Sequence, residues 1–177
     1  MTPVTAIEPL PETEAHQRGL ASRIESFAVL GDDTATFVRI LARAPAYAEA
    51  IWDAMAEALF EGNVDHTLKE IIRIQLANLA GDPYFSALRS RRAIEEGLSE
   101  ERIQAALGDY RDDPQFSDPE KWALDYAYQM YRTPESVDAE FYERGKELWS
   151  EGQIMELGGL IAVHYGMQVF MSTVQHR

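Results

Sequence analysis

Along most of the chain apolar residues recur three and four positions apart, and no five-residue stretch alternates cleanly between apolar and polar. The pattern therefore predicts helices and no strand. Behind a proline-rich arm over residues 1–13, turn and cap residues divide the chain into eight or nine helices. The first is predicted from about Glu14 to Val29, closed by Gly31-Asp32-Asp33, and a short one follows over Thr34–Leu41. Pro45 suits a first helical turn, and Tyr47, Ile51, Met55 and Ala58 form the inward stripe of a helix that stops at Gly62-Asn63. Asp65 caps the next, which runs to about Ala80 with Leu68, Ile72 and Leu76 on one side, and Gly81-Asp82-Pro83 ends it. One helix is predicted over Pro83–Glu96, closed by Gly97, and another from Glu100 to about Leu107 behind a Ser99 cap. After a polar loop, Asp118 as cap and Pro119 open a helix to about Tyr131. A helix over about Val137–Trp149 and a long one from about Glu151 complete the chain.

With 177 residues, 46% of them apolar, the chain fits one helical domain over residues 14–177. Its 16 Lys and Arg against 30 Asp and Glu give a net charge of -14, a field that repels phosphate backbones and anionic bilayers. Neither nucleic acid nor membrane is an expected partner. The N-terminus has no basic segment followed by a long apolar one, so the reading is cytoplasmic rather than secreted. Leu157 to Val174 carries no charge beyond a possible one on His164, yet it holds three glycines, Gln168, Ser172 and Thr173. It reads as a buried central helix, and Gly158, Ala162 and Gly166, four apart, let another helix approach closely.

Cysteine is absent, which removes disulfides, thiolate ligands and sulfur nucleophiles. His16, His66, His164 and His176 lack metal-ligand spacing, so no metal or other cofactor is expected. His164, alone in its apolar run, is either a satisfied core histidine or a group titrating near neutral pH. Glu70 and Arg73 lie three apart, opposite the Leu68 stripe, and read as a solvated ion pair unless this helix is covered on both sides, as Ile74, Ala77 and Ala80 suggest. Arg89, Arg91 and Arg92 pair with Glu95 and Glu96, or one of them holds a carboxylate through two parallel bonds. The chain has no glycine-rich phosphate loop, nucleophile elbow or His-Glu-x-x-His motif.

The run Leu68-Lys-Glu-Ile-Ile-Arg-Ile-Gln-Leu-Ala-Asn-Leu-Ala-Gly-Asp-Pro-Tyr-Phe-Ser-Ala-Leu-Arg89, followed by Gly97-Leu98-Ser99, resembles the carboxymuconolactone decarboxylase and alkylhydroperoxidase D superfamily. There a helix bearing a glutamate leads into Cys-x-x-Cys-x-x-x-His and then Gly-Leu-Ser. The resemblance extends from about Leu41 to Val174. It implies an all-α multi-helix bundle of the alkylhydroperoxidase D-like type and a homo-oligomer, commonly a trimer or hexamer. It places Glu70 at the relay glutamate and Tyr84 at the relay position between the cysteines, where Asp82 and Phe85 now stand; Arg89 replaces the histidine. A carboxylate and a phenyl ring cannot reduce a peroxide and close a disulfide, so that activity is excluded. The decarboxylase branch also lacks the cysteines but usually keeps the histidine.

What the resemblance then implies is a cofactor-free acid/base lyase, decarboxylase or isomerase acting on a small organic acid. Arg89 holds the carboxylate, Glu70 and His164 move protons, and Tyr84 and Asp82 orient the substrate. The alternative is a non-catalytic small-molecule-binding or scaffold protein on the same fold. A pocket lined by Glu70, Tyr84, Arg89 and His164 favours the enzyme; the same residues sealed into ion pairs favour the alternative.

Overall fold

Local signals set most helix ends. In a computed structural model that describes residues 6–11, 13–14, 27–29 and 35–174, α1 spans Ala35–Leu41, α2 Pro45–Phe60 and α3 His66–Ala80. Asp65 caps α3 by accepting from the N–H groups of Thr67 and Leu68, and Gly81 ends it in the left-handed conformation, at φ 65°. Helix α6 (Glu100–Leu107) starts on the Ser99 hydroxyl, and α7 spans Asp118–Arg132. The cap of α7 is Ser117 rather than Asp118: the Glu120 carboxylate accepts from both the backbone N–H and the hydroxyl of Ser117, at 2.8 Å each. A 3₁₀ turn at Pro134–Ser136 and a cap at Asp138 shorten the helix predicted over Val137–Trp149 to α8, Ala139–Lys146. The long helix α9 runs over Glu151–Val174.

The largest departure from the sequence reading lies between Pro83 and Glu96. Instead of one helix there are α4 (Pro83–Ala87), an extended segment β2 (Leu88–Ser90) and α5 (Arg91–Glu95). Three backbone groups that a continuous helix would pair internally are taken by side chains of α3. Arg73 donates to the carbonyls of Phe85 (2.8 Å) and Leu88 (2.6 Å), and the N–H of Ser90 donates to Glu70 (2.8 Å). Those three groups are satisfied from outside the segment, which offsets the loss of their helical partners. Segment β2 also pairs antiparallel with β1, Phe27–Val29, with Ala28 opposite Arg89. Residues 27–29 are thus extended rather than the end of the helix predicted from Glu14; most of that helix lies outside the described residues, as do His16 and His176.

Helix α9 packs against α3, α2 and α7. By length and composition it is the one helix among the described residues apolar enough to cross a membrane; here Leu157, Leu160, Ile161, His164, Met167 and Met171 are buried against protein. The larger core joins α3, α6, α7, α8 and the first half of α9. A smaller one gathers Leu10, Phe37, Leu41, Phe85, Met167 and Met171 around the ends of α3 and α9. Gly158 does not admit a helix backbone. A Cβ there would lie 2.8 Å from the Tyr126 hydroxyl, so the glycine seats a phenol from α7, while Ala162 and Gly166 remain exposed.

Candidate functional site

Helix α3 is covered on both sides, so the Glu70 and Arg73 pair is buried rather than solvated, at 0% and 2% exposure. Arg73 Nε and Nη2 donate to the two Glu70 carboxylate oxygens at 2.8 Å each. Glu70 also accepts from Ser90, and Arg73 holds the Phe85 and Leu88 carbonyls. A buried ion pair persists when its remaining hydrogen-bonding capacity is met in this way. His66, to which the sequence analysis assigned no role, completes the shell. Its Nδ1 donates to the Leu59 carbonyl at 2.9 Å, and its Nε2 is hydrogen-bonded with the Ser90 hydroxyl at 2.8 Å.

Arg89 meets this cluster at the Leu88 carbonyl, which accepts from Arg73 and, at 2.8 Å, from Arg89 Nη1. The rest of the Arg89 guanidinium forms a two-bond pair with Glu100, at 2.6 and 3.0 Å. The Arg89 side chain is 9% exposed and that of Glu100 55%. This pairing holds the Glu100 carboxyl below its ordinary range, against the opposing effect of burial. Arg92 takes the surface role expected of the arginine group, pairing with Glu96 at 2.7 Å.

His164 faces the same region from α9. Burial, reinforced by the positive charge of Arg73, pushes its imidazole down from 6.5 to about 3, and a hydrogen bond to the Met55 backbone only partly opposes this. The ring is neutral at physiological pH. One turn later Gln168 donates from Nε2 to the Arg73 carbonyl at 3.3 Å. Glu70 and Arg89 are therefore linked through Arg73, which pairs with the first and shares the Leu88 carbonyl with the second, while the Arg73 charge also acts on the His164 ring.

Asp82 and Tyr84 lie at the start of α4. Asp82 Oδ1 accepts from the N–H groups of Tyr84 (2.9 Å) and Phe85 (3.0 Å), while its buried Oδ2 has no partner. The Tyr84 ring packs edge-on against Phe85 at 5.1 Å.

Two further groups escaped the sequence reading. Gln168 could have been noticed as an amide four residues after His164 in a charge-free run. Lys69, 1% exposed, is paired with Glu156 and bonded to the Glu61 carbonyl; nothing in its own helix marks it as buried. Among the described residues no three His, Asp or Glu side chains are grouped to hold a metal ion. Two open apolar grooves flank Met155, one of about 340 Å³ between α2 and α9 (Ala54, Ala58, Gly159, Val163) and one of about 420 Å³ between α8 and α9 (Tyr142, Lys146, Ile154). Neither is lined by Glu70, Asp82, Tyr84, Arg89 or His164.

Residues 45–129 match the model of the carboxymuconolactone decarboxylase family. No functionally curated protein matches the chain by sequence. Among solved structures it resembles the debrominase Bmp8, both unliganded and as a cysteine-to-alanine variant in complex with 2,3,4-tribromopyrrole. With the complex the TM-score is 0.75 at 18% identity, over 98% of this chain and 91% of that one. It also resembles an uncharacterized peroxidase-related protein from Silicibacter sp. TM1040, with a TM-score of 0.71 at 14% identity over 98% and 92% of the two chains. At these identities the likeness is one of fold. The family match runs from the start of α2 into α7 and takes in Glu70, Asp82, Tyr84 and Arg89, so over these residues this cysteine-free chain is similar to the carboxymuconolactone decarboxylase family.

Proposed function

We propose that this protein is a redox-inactive member of its family that binds small molecules without converting them, its relay positions having become structural. One observation carries the reading: Glu70 and Arg89 are each held in a two-bond ion pair, with Arg73 and Glu100 respectively. A carboxylate committed to three donors is a poor base, and a guanidinium matched to a carboxylate is already occupied. The apolar grooves beside Met155 are where a ligand would lie. The protein would act in the cytoplasm as a homo-oligomer, since Met155, Val169 and Phe170 leave an apolar stripe on α9 in an otherwise acidic surface.

Binding and turnover of small organic acids and of organic hydroperoxides with a thiol donor are to be measured side by side. The expected result is a thermal shift for one or more compounds and no product above a heat-inactivated control. Catalytic turnover would contradict the reading.

A second reading, acid/base catalysis on a small organic acid, is favoured by the buried Asp82 Oδ2 and His164 Nε2, which have no partner. In that reading Asp82 takes the proton, neutral His164 accepts a hydrogen bond, Tyr84 orients the substrate, and Arg89 holds its carboxylate once Glu100 swings out. Loss of turnover in Asp82→Asn, with ligand affinity unchanged, would establish it.

A further inference from the structure

The two grooves beside Met155 differ in charge. The one between α8 and α9 is lined by Glu143, Lys146 and Glu151, and Lys146 pairs with both carboxylates, at 2.8 and 3.8 Å. In the one between α2 and α9 the ionisable lining residues are all acids: Glu57, Glu61 and Glu156. Glu156 is committed to the fold. Its carboxylate accepts from the N–H groups of Asn63 (2.8 Å) and Val64 (3.0 Å), pairs with buried Lys69, and lies where a Cβ on Gly62 would be. Glu57 and Glu61 are exposed, and among the described residues neither side chain forms an ion pair. Lys69 and Arg92 do reach this end of α2, but they donate to the backbone carbonyls of Glu61 and Phe60 and pair with Glu156 and Glu96.

Glu57 and Glu61 lie four residues apart at the C-terminal end of α2, a like-charge pair that a cation between them relieves. The negative end of the helix dipole adds to that attraction. The contact of Glu156 at Gly62 and the hydrogen bond of the His164 ring to the Met55 backbone run α2 and α9 antiparallel here. The acids therefore gather toward Gly62, while Ala54 and Val163 form the apolar end. Between them Ala58 and Gly159 carry too little bulk to close the gap between the helices. We infer that the α2 to α9 groove binds a small organic cation, a primary amine with an apolar tail, its ammonium beside Glu57 and Glu61 and its tail along Ala58 and Gly159 toward Val163.

The inference rests on the proposed binding of small molecules beside Met155 and names their class. In an open groove the ammonium keeps part of its hydration, so the charge sets selectivity and burial of the tail adds affinity. A carboxylate is repelled by the same acids, so an organic acid is the wrong ligand for this groove. At about 340 Å³ it lies at the small end of ligand sites, which suits one short chain rather than a bulky ring system.

The test is titration of the full chain with hexylammonium, hexanoate, hexanol and methylammonium, read by the ¹³C-methyl signals of Ala54, Ala58 and Met155. Hexylammonium is expected to move them at the lowest concentration, to weaken with added salt, and to lose about twofold to fourfold in affinity per methylene removed. Glu57→Gln combined with Glu61→Gln is expected to weaken it about fivefold or more. Gly159→Leu, where a new Cβ meets nothing within 4 Å, is expected to fill the groove and block binding; Gly166→Leu, equally open but outside the groove, is not. Hexanoate or hexanol binding there as tightly would overturn the amine assignment while leaving small-molecule binding intact. No shift with any of the four overturns the inference, and a thermal shift with some other compound would then still support the binding reading. Signals that move with protein concentration alone place a second copy in the groove and overturn the inference as well.

Discussion

Two buried polar regions meet at Arg73, and they differ in how completely they are satisfied. At the α3 to β2 junction Glu70 is paired with Arg73 and Glu100 with Arg89, and Arg73 and Glu70 stand in for backbone partners that the broken helix lacks. On α9, His164 and Gln168 each use one end of the side chain and leave an unpartnered acceptor at the other. A satisfied buried network holds a fold in one arrangement, whereas unfilled capacity marks where something else can bind. Glu70 and Arg89, two positions that the family resemblance marks, are thus fully paired, whereas Asp82, His164 and Gln168 each keep an unpartnered acceptor.

The comparison is most severely tested by Arg73→Met. It leaves the Glu70 carboxylate buried without its cation and removes a donor from the Phe85 carbonyl, so a loss of about 3–5 kcal/mol is expected in urea unfolding. A loss below about 1 kcal/mol would mean that solvent reaches the pair and that the junction is not the sealed region.

The α9 side is sharpened by pH. An unfolded His164 titrates near 6.5 and the folded one near 3. The contribution of the neutral ring is therefore complete above pH 6.5 and is lost as pH falls from there toward 3, by up to about 1.4 kcal/mol per unit. His164→Leu is expected to lack this component, so in unfolding curves at pH 7, 6 and 5 the wild type should lose stability relative to the variant as pH falls. Parallel pH profiles would show that the ring is hydrated and titrates normally.

The smallest effect is expected at Glu100→Gln, where an exposed carboxylate leaves a nearly buried guanidinium. Stability should fall by no more than about 0.2–1 kcal/mol at neutral pH. Because the Glu100 carboxyl sits below its ordinary range, its contribution is present above that range and lost as acid titrates it in the folded state. The difference between variant and wild type should therefore vanish in acid.

The legible parts of this fold are those decided within a few residues. The Asp65 and Ser99 caps, the Gly81 stop and the Pro45 start follow from local backbone chemistry, and the helices predicted there form with nearly the expected ends. The break at Leu88–Ser90 does not, because nothing between Pro83 and Glu96 forbids a helix; the groups that stabilise it come from Glu70 and Arg73. Burial of that pair was suggested by Ile74, Ala77 and Ala80, but its link to the next element was not.

The site divides in the same way. Glu70 and Arg89 were identifiable through the spacing of the resemblance, whereas their partners Ser90 and Glu100 are 20 and 11 residues away and depend on how the helices dock. Gln168 acquires meaning only once α9 lies against α3.

The central claim is that Glu70, at the relay position of the family, holds the fold together here, and the measurement closest to it is the unfolding free energy of Glu70→Gln. The amide nearly matches the carboxylate in shape but carries no charge, and its NH₂ group turns one acceptor toward Arg73 or Ser90 into a donor. The account expects the variant to lose about 3 kcal/mol or more. A variant as stable as wild type would contradict it and return Glu70 to the role of a proton carrier.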